Sequence, residues 1–120
     1  MITIKDIIKW SKPHPMNSAM KGTTEARRSC FGNDKVEFSI VGGGSGLYGD
    51  FKDTFEVAIF DKETGKFMTK FFYSKATDDV IAYMSADDVV ELVNSVIKIK
   101  KFFLNYKKNQ EFKLFHKTNL

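Results

Sequence analysis

Cysteine, proline, histidine and arginine are all scarce in this chain. Its 120 residues hold 1 Cys, 2 Pro, 2 His and 1 Trp, and beside 17 lysines the only arginines are Arg27 and Arg28. The lone thiol of Cys30 cannot close an intrachain disulfide, so no covalent staple is expected. His14 and His116 stand far apart, with no His-x-x-x-His or Cys-x-x-Cys spacing, so no metal site and no cofactor is predicted. No apolar run approaches the roughly 20 residues of a membrane-spanning helix, and Met1-Ile2-Thr3-Ile4-Lys5-Asp6 lacks the apolar centre of a signal peptide. These absences predict a cytoplasmic protein without membrane attachment. With so few arginines, bidentate recognition of phosphate or guanine over a wide surface is also disfavoured.

What is present suits one small packed domain spanning 1–120. Hydrophobic residues make up 42% and aromatic residues 14%, including 12 Phe, enough apolar surface to offset the entropy of ordering. The net charge of +4 is unevenly spread: residues 1–34 carry +3, residues 35–97 carry −5 and residues 98–120 carry +6. An acidic middle weakens global attraction to nucleic acid, whereas the basic end alone could dock on an anionic surface.

Thr3 followed by Asp6, with Ile4, Ile7 and Ile8 at helical spacing, predicts a short amphipathic helix that ends before Pro13 and Pro15 and places Trp10 in the core. The remainder of 1–34 reads as irregular, with one or two helical turns from Thr23 or Thr24 through Arg27 and Arg28. From Lys35 the period changes to two. Val36, Phe38 and Ile40 alternate with Glu37 and Ser39, and Phe55, Val57 and Ile59 alternate with Glu56, Ala58 and Phe60. A turn at 61–66 then predicts a third strand over Phe67–Tyr73, and a fourth short one is expected at Asp79–Met84.

Ser85, followed by Asp87, Asp88 and Glu91, marks a helix start where carboxylates favour the positive end of the dipole. That helix runs over 85–106, and a basic, aromatic tail follows at 107–120. The expected fold is therefore α+β, an antiparallel three- to four-stranded meander over 35–84. A short N-terminal helix and a longer C-terminal helix pack on the sheet.

The segment Gly42-Gly43-Gly44-Ser45-Gly46-Leu47-Tyr48-Gly49 contains a literal G-x-G-x-x-G at Gly44, Gly46 and Gly49. It leads into a strand pattern rather than a helix, which excludes a dinucleotide-binding unit, and it lacks the Gly-Lys-Ser/Thr of a phosphate loop. Two readings stand: a structural hairpin connection, or a flexible tip presenting Gly44, Gly46 and Tyr48 to a partner or an anion. The other candidates for partner or anion contact are Arg27 and Arg28, the only guanidinium groups, and Lys107 and Lys108 in the basic tail.

No catalytic constellation accompanies them. The sequence thus predicts a small non-catalytic macromolecule-binding protein, foremost a protein-binding accessory or inhibitor of the kind encoded by phages and mobile elements. A nucleic-acid- or nucleotide-binding protein using the basic tail and glycine loop is the alternative. A homodimer through the sheet is a further expectation, because Phe67–Tyr73 carries aromatic residues at adjacent positions.

Overall fold

The computed structural model describes the backbone of residues 1–19, 25–76 and 78–107, and the side chains of 1–17, 25–76 and 78–99. Helix α1 (Ile4–Lys9) begins at a capping box in which Thr3 Oγ1 accepts the Asp6 N–H at 3.2 Å and Asp6 Oδ2 accepts the Thr3 N–H at 2.9 Å. Pro13 and Pro15 then force extended backbone, and Lys12–Pro13 pairs as strand β1. A four-residue helix, α2 (Met16–Ala19), follows.

Strands β2 (Arg27–Gly32), β3 (Val36–Gly42), β4 (Thr54–Asp61) and β5 (Ile81–Ser85) complete a five-stranded sheet in the order β1-β2-β3-β4-β5, antiparallel throughout. Helix α4 (Ala86–Lys107) follows β5 directly, with Ser85 Oγ accepting the Asp88 N–H at 3.2 Å. The fold is α+β, an antiparallel meander with both longer helices on one face.

That face holds the core. Val36, Phe38 and Ile40 of β3 and Phe55, Val57 and Ile59 of β4 meet Ile7 of α1 and Val89, Val93 and Val96 of α4. Asn94 of α4 ties the N-terminal segment down: its Oδ1 accepts the Ile2 N–H at 3.0 Å and its Nδ2 donates to the Ile2 carbonyl at 2.8 Å. Trp10 lies at the margin of the core rather than inside it. As the C-cap residue of α1 it is 42% exposed, and its ring contacts that of Phe31 at 5.3 Å.

Two further expectations from the sequence are corrected. Residues Arg27–Gly32 form a strand rather than the end of a helical turn; the side pointing to the core carries Arg27, Ser29 and Phe31, so alternation of polarity is masked. Residues 67–73 do not form a third strand. Phe67 makes one bridge to Phe60, Met68 N–H bonds the Ile59 carbonyl at 2.7 Å, and the chain then turns into α3 (Thr69–Phe72). The reason is competition for one edge, since β5 pairs with β4 over Thr54–Val57 and leaves only its far end free.

Thr69 makes that divergence workable. Its buried Oγ1 accepts the Ile59 N–H at 3.0 Å, standing in for the backbone carbonyl a continuing strand would supply. Thr69→Val should therefore cost about 1–3 kcal/mol by orphaning a buried donor. Urea denaturation compared with Thr69→Ser, which keeps the hydroxyl, separates this loss from a change in packing.

Candidate macromolecule-binding face

The alternation that buries one set of side chains sends the other set to the opposite face. On that face, register aligns Lys12, Arg28, Val41 and Glu56 in one row across β1 to β4, and Cys30, Ser39 and Ala58 in the next. Gly32, Glu37 and Phe60 form a third row, extended by Phe67, whose ring lies 4.6 Å from that of Phe60. Neither α1 nor α4 lies on this face. Val41 and Ala58 are buried on the central strands, whereas Lys12, Arg28 and Cys30 are exposed.

The two arginines, adjacent in sequence, are separated by the pleat. Arg27 points to the core side and is engaged there: Nη2 donates to the Ser11 carbonyl at 2.8 Å and to its Oγ at 3.0 Å, and Nε donates to the same Oγ at 3.1 Å. It locks the end of α1 against the sheet. Arg28 points the other way, directly opposite Lys12. Among the described residues its side chain has no hydrogen-bonded or ion-paired partner.

His14 adjoins this row, in register with Ala26, whose carbonyl accepts the His14 N–H at 2.9 Å. Its Nδ1 accepts the Met16 N–H at 3.0 Å, so the other ring nitrogen carries the proton of the neutral imidazole. Burial, and secondarily the Arg28 guanidinium, hold its pKa below the ordinary value of 6.5, with Glu56 opposing. The unfolded chain therefore binds the proton first: stability is full above about pH 6.5 and declines as pH falls below it. Denaturation midpoints at about pH 7.5 and about pH 5.5 should differ for the wild type and converge for His14→Gln. A wild-type midpoint that stays flat across this interval would contradict the assignment.

The glycine segment is a constructed connection. Gly43 N–H bonds the Gly49 carbonyl at 2.9 Å, Leu47 N–H the Gly44 carbonyl at 3.1 Å, and Tyr48 N–H the Glu56 Oε1 at 2.9 Å. Asp50 Oδ1 gathers the N–H groups of Lys52, Asp53 and Thr54 between 2.8 and 3.0 Å, which holds its carboxyl far below the usual carboxylate range. Phe51 is buried against Phe55. These amides are spent internally rather than offered to an anion. Gly44 packs so closely that an added Cβ would lie 2.6 Å from the Ala26 Cβ, whereas Gly46 has φ +85° and open space around it.

The loop meets the far edge of the sheet at two tyrosines. A register irregularity in β5 leaves Tyr83 with φ +52°, and its N–H bonds the Tyr48 carbonyl at 2.9 Å. The two rings sit 5.9 Å apart, with Tyr48 48% and Tyr83 62% exposed.

Of the sequence-predicted residues, Arg28 and Tyr48 thus belong to elements bordering one face, Arg27 and Gly44 are structural, and Gly46 sits at the loop tip. The Lys107 side chain and Lys108 lie outside the described residues. Lys12, His14, Glu56 and Tyr83 were not among the predicted site residues. For the first two a signal existed: Lys-Pro-His-Pro must be extended, which puts residues 12 and 14 on one side. For Tyr83 there was none.

Among the described residues no group of three or more His, Cys, Asp or Glu could hold a metal ion, and no helix is long and apolar enough to cross a membrane. No protein-family model matches the chain, and no curated protein or solved structure matches it significantly.

Proposed function

We propose that this chain is a non-catalytic protein-binding module, an accessory or inhibitor protein, that docks through the face bearing Arg28 and the Tyr48–Tyr83 pair. One observation carries the reading: Tyr83 adopts left-handed backbone and yet is 62% exposed. Positive φ at a bulky residue costs about 1–3 kcal/mol, and burial of the ring does not offset it here. Two amphipathic rings held side by side at a sheet margin are instead suited to desolvation by a partner, where tyrosine gives large contact area at little entropy cost.

The edges are poorly suited to strand addition, because β1 contains Pro13 and β5 is bulged at Tyr83. Recognition by a face fits this sheet better than pairing along an edge. Nucleic acid is the weaker reading, because Glu37 and Glu56 stand on the same face and would oppose a phosphate track.

Tyr83→Gly tests the proposal. Glycine accepts positive φ, so stability should hold to within about 1 kcal/mol while the ring is lost. Tagged full-length protein should retain one stoichiometric host protein after nuclease treatment, and Tyr83→Gly should release it. Equal retention by the folded variant, or loss of all partners on nuclease treatment, would overturn the reading.

A further inference from the structure

Lys12 and Arg28 stand directly opposite each other on neighbouring strands. Like charges so placed destabilise a strand pair. A carboxylate between them would relieve the repulsion, yet among the described residues neither side chain has a hydrogen-bonded or ion-paired partner. The one acid in the row, Glu56, stands beyond Val41, accepts the Tyr48 N–H through Oε1 at 2.9 Å and acts on His14 only as a charge at a distance. His14 lies two residues from Lys12 on the same side of β1, with Nδ1 committed to Met16 and a proton left on the other nitrogen.

We infer that Lys12, His14 and Arg28 together form a receptor for a single carboxylate, presented by an acidic side chain of the partner protein. The inference rests on the protein-binding reading above and names the chemistry of the partner. Guanidinium supplies a planar fork, ammonium a point charge and imidazole a neutral donor, a set that matches one carboxylate with its lone pairs. A polyanion is a poorer match. A chain of phosphates leaving this cluster across β3 and β4 would run onto Glu56 and then Glu37, whereas a single carboxylate between Lys12 and Arg28 is opposed only by Glu56, two strands from Arg28 in the row. Arg28 is also the guanidinium that points to this face, since Arg27 lies on the core side and is bound to Ser11 through three hydrogen bonds.

The test is an NMR titration of the labelled full chain with a capped peptide carrying a single glutamate, inorganic phosphate and a short oligodeoxythymidylate, each at about 0.15 M salt. The single-glutamate peptide should saturably shift the amide signals of Lys12, His14, Arg28 and Val41. Arg28→Glu should weaken it by about tenfold or more. The melting temperature of that variant should be kept or raised, because an opposite-charge pair replaces a like-charge pair. Lys75→Glu, an exposed control away from this row, should bind as the wild type does.

Absence of saturable shifts on this face, or equal shifts in Arg28→Glu, would overturn the carboxylate receptor. So would tighter binding of the oligonucleotide or of phosphate than of the single-glutamate peptide. Partner capture separates this inference from the broader one. A host protein retained by Arg28→Glu but released by Tyr83→Gly defeats the carboxylate receptor alone, and a nuclease-sensitive capture defeats the protein-binding reading.

Discussion

Gly49→Ala is expected to lower the melting temperature by about 12 °C, while Gly46→Ala lowers it by about 4 °C. A Cβ at Gly49 would lie 2.8 Å from the Thr54 carbonyl oxygen and 2.9 Å from both the Cα and the N of Phe55. These are backbone atoms of β4, which cannot move without disturbing the core residue Phe55. Overpacking against such atoms costs about 3 kcal/mol. At Gly46 nothing lies within 4 Å, so the only cost is φ +85°, about 1 kcal/mol. The comparison distinguishes a connection welded to the sheet from a mobile tip. Two variants that melt together, near the wild type, would show that the segment is free to relax. Scanning calorimetry at one pH above 6.5 suffices, and it keeps His14 neutral in both states.

The second large effect is a separation of roles between neighbours. Arg27→Ala should cost about 1–3 kcal/mol, because three hydrogen bonds to Ser11 are lost and its carbonyl is left without its charged donor. Ser11 also donates to the Ile8 carbonyl at 2.7 Å, so the end of α1 loosens with it. Arg28→Ala should change stability by no more than about 0.5 kcal/mol, as a surface residue whose side chain has no hydrogen-bonded or ion-paired partner among the described residues. Its effect is expected in binding, a loss of about tenfold or more. Denaturation midpoints and partner affinity measured on the same pair of proteins decide the matter. If Arg27→Ala binds poorly at full stability and Arg28→Ala does the reverse, the assignment of the two faces is wrong.

Much of the frame was legible because it is written in neighbouring residues. The Thr3–Asp6 capping box, the alternation through Val36–Ile40 and Phe55–Ile59, and the Ser85 start of α4 all depend on contacts within a few positions. Strand β2 was missed for an instructive reason. Its inward side chains are Arg27, Ser29 and Phe31, and the arginine is acceptable there only because Ser11, sixteen residues earlier, receives it. The aromatic run at 67–73 failed differently: its composition suits a strand, but the edge it would use is taken by a later segment, Ile81–Ser85.

The binding face shows the same division. Arg28 and Tyr48 attracted attention as residue types, the first for its scarcity and the second for its place beside glycines. Their relation to Lys12, His14, Glu56 and Tyr83 follows from antiparallel register, which joins positions far apart in the chain.

By itself, then, the sequence determined the α+β class, the two principal helices and the two central strands, because periodicity and capping are local properties of the chain. Only the tertiary structure decided which arginine is structural, that the glycine segment is welded to β4, and that a tyrosine pair borders the sheet face opposite α1 and α4. Those outcomes depend on lateral pairing and on competition for sheet edges, and no short window of sequence contains both competitors.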